Sequence, residues 1–255
     1  MKPRILVTND DGIYSDGLRQ LAAAHREIGD VIVVAPDREQ SAASHALTLN
    51  RPLRLLEIDS DQWIVDGTPT DCVNLAVLQI LKDDPPDIVV SGINFGPNLG
   101  DDITYSGTIS AAFEASLLGI RSIAFSALVG ENFSFEQHAG FAARLTRIAL
   151  EKKGDPGIIL NVNFPVEKAR GVRITRLGKR SYSEGVIERL DPRGRKYYWI
   201  GGEEPTWEDD PESDYAALAE GYVSITPLHL DLTDHKSIPD LQFLSEALKD
   251  EALHA

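Results

Sequence analysis

The sequence predicts an α/β fold, in which a doubly wound, mostly parallel sheet is followed by a β-rich hairpin and arm extension. Short apolar runs typical of buried strands alternate with helical patterns through the first 165 residues. Such alternation favours parallel strands joined by right-handed crossovers. After about residue 165 the pattern changes to short strands and a hairpin. We therefore predict a core over residues 1–165 and an extension over residues 166–255 that packs on the core.

The first elements follow from apolar runs and their spacing. Ile5–Thr8 and Val31–Ala35 are continuous apolar runs, which predicts buried strands, and Asp16–Glu27 has apolar residues at helical spacing. Next comes an antiparallel excursion, predicted because apolar and charged residues alternate; it covers Leu47–Ile58 and Gln62–Val65. A helix over Asp71–Leu81 follows, with Thr70 or Asp71 as its N-cap. As an alternative role, the preceding Gly67-Thr68-Pro69 could line the pocket.

The rest of the core continues the same alternation. Ile88–Ser91, Ser122–Phe125 and Ile158–Val162 are predicted as strands, and Ile109–Leu118 and Phe135–Glu151 as helices.

The extension is predicted from alternation, turn residues and a cluster of acidic residues. Its hairpin pairs Val186–Leu190 with Lys196–Ile200 through a turn that contains proline and glycine. The acidic stretch is expected to be a solvated loop. The other segments are the strands Val172–Arg176 and Tyr222–Thr226, the acidic loop Glu203–Asp214 and the terminal helix Pro239–Ala252.

Composition limits the classes of partner. The net charge of −15 argues against binding to a nucleic-acid polymer, because a phosphate backbone would be repelled. The single cysteine, Cys72, excludes an internal disulfide framework and is expected to be a buried thiol. No run of about eighteen apolar residues and no segment of signal-peptide type is present, so we expect a cytosolic protein without a membrane partner.

Polar residues replace core residues over Ser91–Thr108, between a strand and a helix. Asn94 and Asn98 offer neutral oxygens and amide donors. The free backbone N–H groups and the positive dipole end of the following helix favour an anion. This helix opens with Ser106, Gly107 and Thr108. The pattern predicts a phosphate site.

Two adjacent carboxylates, Asp10 and Asp11, end the first strand. Ligands bind beyond the carboxyl ends of strands in open α/β sheets. The two charges would repel each other unless a cation lay beside them, and Mg²⁺ and Mn²⁺ prefer oxygen ligands. An ordinary Asp-Gly turn is the alternative interpretation. The second polar cluster, over residues 91–108, favours the metal site over the turn as the interpretation of Asp10 and Asp11.

Ser41 belongs to a third polar cluster, after strand Val31–Ala35, and is expected at the same sheet edge as Asp10 and Asn94. The alternative is that Asp37 or Ser41 caps a short helix. The sequence lacks the glycine-rich dinucleotide and Walker motifs, the serine-hydrolase elbow and the zinc-peptidase motif. Those classes of enzyme are disfavoured.

Five separated blocks match a known family in the same order. They are Leu6–Gly12, Val34–Arg38 with Ser41, Gly67–Val73, Ser91–Thr108 and Glu220–Leu228. Through them the chain resembles the SurE stationary-phase survival family of metal-dependent nucleotidases nearly end to end. The resemblance implies a Rossmann-like fold with a projecting hairpin and a C-terminal arm used for dimerisation. It also implies metal ligation by Asp10, Asp11, Ser41 and Asn94.

The activity implied by the resemblance is hydrolysis of nucleoside 5′- and 3′-monophosphates to nucleoside and phosphate, with one divalent manganese or magnesium ion. Short-chain polyphosphate is a further expected substrate, and a homodimer or homotetramer is expected. The expected catalytic residues are Asp10, Asp11, Asn98 and Thr108. The expected substrate-binding residues are Asn9, Asn98, Ser106, Gly107 and Thr108.

The residues alone leave two points open. Asp10 or Asp11 could accept a proton from the attacking water or attack phosphorus directly. A nucleotide- or phosphate-sensing protein without turnover, or a phosphotransferase, could use the same phosphate cradle.

Overall fold

Within residues 2–131, 133–152, 157–181, 185–200 and 206–248, which the computed structural model describes, nine of the strands form one central sheet. The strands, numbered along the chain, are β1 (Arg4–Thr8), β2 (Asp30–Pro36), β3 (Leu55–Asp59), β4 (Gln62–Val65), β5 (Ile88–Phe95), β6 (Ser122–Ala127), β7 (Ile159–Phe164), β8 (Val172–Ile174), β9 (Arg180–Ser181), β10 (Val186–Leu190), β11 (Lys196–Ile200), β12 (Thr206–Trp207) and β13 (Val223–Leu228). The helices are α1 (Asp16–Arg26), α2 (Pro69–Leu75), α3 (Gly107–Leu117), α4 (Phe135–Glu151), α5 (Asp214–Ala219) and α6 (Gln242–Ala247).

The central sheet has the strand order β3-β4-β2-β1-β5-β6-β7-β13-β8. Strands β4, β2, β1, β5, β6 and β7 run parallel, and β13 pairs antiparallel with β7. The predicted doubly wound, mostly parallel sheet is confirmed. The chain leaves β1 toward β2 on one side and continues from β5 to β6 on the other. The crevice between the ends of β1 and β5 is therefore the switch point at which such sheets bind ligands.

Alternate residues of β1 pack on opposite faces of the sheet. Ile5 and Val7 belong to the core that also contains Leu18 of α1 and Ala142 of α4. Leu6 belongs to the second core, with α2 and α3. Burial on both faces explains why the central strands read as continuous apolar runs.

The start of α2 differs from its prediction. Thr68 is the N-cap: its hydroxyl accepts a hydrogen bond from the N–H of Asp71, and the Asp71 carboxylate accepts one from the N–H of Thr68. Pro69 takes the first helical position, where its missing N–H costs nothing. The expectation that Thr70 or Asp71 caps this helix was wrong, because the reciprocal capping box needs the carboxylate three residues after the cap. Cys72 is fully buried, as expected.

The antiparallel excursion is shorter than predicted and joins the central sheet. Only Leu55–Asp59 pairs antiparallel with β4, while β4 also pairs parallel with β2. The excursion thus forms the edge of the main sheet.

The extension departs further from its prediction. The predicted hairpin is present over the predicted residues. The acidic stretch is not only a loop, because β12 pairs with β9 and α5 begins at Asp214; residues 203–205 lie outside the described part. A 3₁₀ turn over Pro239–Leu241 and helix α6 replace the longer predicted terminal helix, whose residues 249–252 also lie outside it. The division at residue 165 stays a prediction, and β8 and β13 carry the central sheet across it.

His25 is a fully buried histidine that links α1 to α4. Its Nδ1 donates to the carbonyl of Leu21 at 2.7 Å, and its Nε2 accepts from the hydroxyl of Thr146 at 2.9 Å. Both contacts suit the neutral ring. Burial lowers the pKa of His25 from 6.5 to about 4.

We expect His25 to make folding stability depend on pH. Between about pH 6.5 and 4, the His25 ring is protonated in the unfolded chain but neutral in the folded chain. The free energy of unfolding therefore decreases as the pH falls through this range. The pKa difference corresponds to a loss of about 3 kcal/mol. The measurement is denaturant unfolding of the wild type and of His25→Leu/Thr146→Val between pH 4 and 7.5. The free energy of unfolding of the double variant should lack the part of the pH dependence that His25 causes. An equal pH dependence in the two proteins would contradict the role given to His25.

None of the helices in the described part of the chain has the length and apolar composition needed for a transmembrane span.

Candidate metal and phosphate site

A cavity of about 620 Å³ opens at the carboxyl ends of β1 and β5. It brings together side chains from all three polar clusters of the sequence. Its lining residues include Asp10, Asp11, Glu39, Ser41, Asn94, Phe95, Asn98, Asp102, Tyr105, Ser106 and Phe135.

Asp10 is buried and held by the start of α3. Its Oδ1 accepts a hydrogen bond from the hydroxyl of Thr108 at 2.6 Å, and the backbone N–H of Thr108 also donates to its carboxylate. Burial raises the pKa of Asp10, and the hydrogen bonds from Thr108 oppose this rise. The N-terminal end of α3 therefore stabilises the charge of Asp10, where the sequence suggested a bound phosphate.

Asp11 lies in the same cavity, and its pKa is raised to about 6 by burial first and by the neighbouring charge of Asp10 second. A hydrogen bond from the backbone N–H of Phe95 acts in the opposite direction. Glu39 adds negative charge near both carboxylates. Sequence reasoning missed Glu39, which stands in the cluster of Ser41 and could have been found there.

Asn94 lines the cavity and directly follows an irregularity in β5, where the register with β6 shifts between Ser91 and Asn94. Gly92 has φ of +122°, and a Cβ there would come within 2.2 Å of the carbonyl oxygen of Phe125, so a glycine is required. The Nδ2 of Asn94 donates to the carbonyl of Gly96 at 2.8 Å, which leaves Oδ1 for a ligand. Ser41 is exposed at the cavity, and its hydroxyl donates to Glu39 at 2.6 Å. Residues 37–44 contain a bend, a turn and irregular backbone, so the alternative of a capped short helix is not observed.

Asn98 is fixed by buried polar residues at the ends of β6 and β7. Its backbone carbonyl accepts from the amides of Asn161 and Asn163, both at 2.9 Å, and its N–H donates to Oδ1 of Asn163 at 2.8 Å. Its side-chain amide donates to Ser126 at 2.7 Å. Sequence reasoning did not assign these partners to the site. The signal was asparagine at alternate positions of a buried strand.

The remaining predicted residues have other principal contacts. The amide of Asn9 donates to Ser15 at 2.7 Å and its Oδ1 accepts from the N–H of Gly12 at 3.2 Å, so this side chain holds its own loop. Ser106 caps α3 by accepting from the N–H of Ile109, and it also lines the cavity. Thr108 is fully buried against Asp10.

The extension contributes a buried carboxylate that sequence reasoning missed. Asp214 accepts hydrogen bonds from the backbone N–H of Gly100 at 2.9 Å and of Gly178 at 2.8 Å. Nearby, Arg180 forms an ion pair with Asp102 of the cavity wall. Residues beyond 165 therefore hold the loop that carries Asn98. An aspartate that starts a helix resembles an ordinary cap, so its sequence gave no specific signal.

The donor set fits a hard divalent cation. Two desolvated carboxylates repel each other, and a cation between or beside them would relieve this repulsion. Asn94 and Ser41 add neutral oxygens in the same cavity. Within the described residues no group of three or more His, Cys, Asp and Glu side chains is placed to hold a metal. Two carboxylates with neutral oxygens match Mg²⁺ or Mn²⁺ better than a softer ion.

Comparisons with known proteins agree with one another. The family model described as "Survival protein SurE" matches residues 5–184. A protein of Myxococcus xanthus named 5′-nucleotidase SurE is 54% identical over 241 residues, covering 93% of this chain and 92% of that protein. The crystal structure of the SurE protein from Aquifex aeolicus superimposes with a TM-score of 0.87 at 46% identity, covering 95% of this chain and all of that one.

Proposed function

The chain belongs to the SurE family, and from that membership we propose that it is a metal-dependent phosphomonoesterase that hydrolyses nucleoside 5′-monophosphates to nucleoside and phosphate. The observation that carries the proposal is the cavity in which Asp10 and Asp11 lie beside Asn94, Asn98 and Ser106. Nucleoside 3′-monophosphates and short-chain polyphosphate are further proposed substrates. A cytosolic location stays a prediction.

The proposed cofactor is one Mn²⁺ or Mg²⁺ ion held by Asp10, Asp11, Asn94 and Ser41. When bound, such an ion supplies Lewis-acid polarisation of a phosphoryl oxygen and of a water molecule. Dependence on a metal follows from family membership, and the carboxylate pair supports the choice of a hard ion.

We assign different roles to the residues around the carboxylates. Asn98 and Ser106 bind the phosphoryl oxygens, on which charge builds in the transition state. Thr108 is a positioning residue, because its hydroxyl and N–H hold Asp10. Gly107 allows Asp10 to approach the helix, and Asn9 supports the loop that follows β1.

The test is phosphate release by the purified, chelator-treated protein. AMP, 3′-AMP, ribose 5-phosphate and tripolyphosphate would each be supplied with Mn²⁺, Mg²⁺, Ca²⁺ or no metal. We expect release from AMP only with Mn²⁺ or Mg²⁺. Binding of AMP without release would favour the sensing protein. Formation of more nucleoside than free phosphate when glycerol is added would favour the phosphotransferase. Family membership makes both alternatives the less favoured ones.

Gly107→Ala is expected to lower phosphate release by roughly a hundredfold, because a small misplacement of a catalytic group has effects of this size. A Cβ at Gly107 would lie 2.7 Å from Cβ of Asp10 and 2.9 Å from its Oδ2, so Asp10 must move. Alanine favours the helix, and folding should survive. Phosphate release and thermal melting are the measurements.

Gly140→Ala is the matched control for Gly107→Ala, because it changes a helical glycine whose added Cβ meets no described atom within 4 Å. It should retain wild-type activity. Normal turnover in Gly107→Ala would contradict the proposed position of Asp10.

We also propose that the protein is at least a homodimer, with the hairpin β10–β11 in the interface. Every residue of both strands is exposed, and Ile200 is 93% exposed. A two-stranded hairpin is marginal by itself in water, and an exposed apolar patch usually marks an interface. Apolar side chains after β13 are exposed as well, namely Leu232, Leu241 and Phe243.

Light scattering of the full chain at micromolar concentration should give at least a dimer. Replacing residues 186–200 with a short turn should lower the mass by half or more. Arg193→Ala, at the exposed tip of the hairpin, is the control and should leave the mass unchanged. A monomeric full-length protein would rule out the proposed interface.

A further inference from the structure

Phe95 exposes an aromatic ring inside the cavity that holds the carboxylates. The residue follows Asn94 in β5, and its backbone N–H donates to the carboxylate of Asp11. The backbone at Phe95 is thereby tied to the site. Its side chain nevertheless remains 62% exposed and lines the cavity. An apolar ring that is mostly exposed to water lacks most of the stabilisation that full burial would supply.

Two further rings support Phe95 from one side. Phe133 packs against Phe95 with ring centroids 6.2 Å apart and planes at 83°. Phe135 packs against Phe133 at 4.7 Å and 87°, and it lines the same cavity. Phe133 and Phe135 are themselves partly buried against the main core. The edge-to-face contact with Phe133 restricts the position of the Phe95 ring, so stacking of a ligand on it costs little further side-chain entropy.

We propose that Phe95 is the stacking platform for the nucleobase, and that it determines the preference for nucleotides over phosphate esters that lack a base. This inference rests on the proposed nucleotidase function and extends it to substrate selection. The phosphate end of the substrate meets polar groups and carboxylates, whereas the base is flat and weakly polar on its faces. Aromatic side chains bind bases of any identity by stacking, because every base has a π-face. Phe95 should therefore favour nucleotides without selecting one base.

Tyr105 is the competing ring, because it is also 62% exposed and lines the same cavity. It ends the 3₁₀ turn Gly100–Tyr105, and its backbone carbonyl accepts from the N–H of Ser44 at 3.3 Å. We choose Phe95 because two rings anchored in the core support it and because it directly follows Asn94.

The test compares kcat/KM for AMP and for ribose 5-phosphate, which has the same phosphate and sugar but no base. Phe95→Ala should lower the value for AMP by roughly 5- to 150-fold, the range for loss of one stacked base, and the value for ribose 5-phosphate by less than about twofold. Phe95→Trp should retain the preference for AMP. Tyr105→Ala should leave the ratio of the two values within about twofold of the wild type.

Equilibrium binding of adenosine, measured by calorimetry on the same four proteins, separates this inference from the proposed function. Loss of adenosine binding in Phe95→Ala supports the inference even where the wild type releases no phosphate from either substrate. An unchanged ratio and unchanged adenosine binding in Phe95→Ala overturn it and leave the nucleotidase proposal intact. A shift of the preference in Tyr105→Ala alone also overturns it. So does a lower molecular mass of Phe95→Ala in light scattering, since the ring would then belong to a subunit contact.

Discussion

Asp10→Asn and Asp11→Asn are each expected to reduce phosphate release from AMP by a factor on the order of 10³ or more, as losses of catalytic groups do. Each change replaces an anionic oxygen with a neutral amide in a site that we propose holds a hard cation. Affinity for Mn²⁺, measured by calorimetry, should fall in both variants. Folding should survive, because burial already disfavours the charged form of both carboxylates.

The control for these variants is Asp30→Asn, the same substitution on an exposed side chain. Asp30 begins β2 and therefore lies at the amino ends of the parallel strands, away from the cavity at their carboxyl ends. Asp30→Asn should leave activity and metal affinity unchanged. Thermal melting of each variant excludes a general folding defect. A well-folded Asp10→Asn protein with near-normal turnover would refute the metal assignment.

Asn98→Ala is expected to lower kcat by roughly ten- to a thousandfold, in line with loss of one donor to a developing oxyanion. The loop should keep its position, because Asn161 and Asn163 hold the backbone of Asn98 rather than its side chain. Affinity for Mn²⁺ should change little. Asn98→Asp should lose more activity than Asn98→Ala, since it places a negative charge where the phosphate binds.

Ser126→Ala is the matched control for Asn98→Ala, because it removes the same side-chain hydrogen bond but leaves the Asn98 amide in the cavity. Ser126→Ala should lower kcat by less than about tenfold. Loss of Mn²⁺ affinity in Asn98→Ala with unchanged inhibition by phosphate would reverse the roles assigned to the two polar clusters.

The class of the fold and the location of the site were accessible from local sequence. Continuous apolar runs such as Ile5–Thr8 and Val31–Ala35 report burial on both faces of a parallel sheet. Polar residues at the carboxyl ends of strands indicate a ligand-binding site, because the loops at those ends lie outside the packed core. For this reason Asp10, Asp11, Asn94 and Ser41 could be proposed together, and they do line one cavity.

The partners of those residues were not accessible in the same way. Thr108 and Asp10 are 98 positions apart, and the bond between them exists because β1 and β5 are neighbours in the sheet. The sequence suggested that the start of α3 binds phosphate. The N–H and hydroxyl groups of Thr108 hold Asp10 instead, and Ser106 keeps the proposed phosphate contact. The positive partial charge at the start of a helix favours an anion there, but the sequence does not identify which anion it is.

By itself, the sequence determined the alternation of strands and helices, the residue types at the ligand edge and the family, since each of these depends on neighbouring residues or on local motifs. The tertiary structure alone decided that Asp214 of the extension holds the Asn98 loop through Gly100, that Asn161 and Asn163 fix its backbone, and that the ring of Phe95 stays open to the cavity. These contacts join segments up to 114 positions apart, and such pairings are set by packing of the whole sheet rather than by any local propensity.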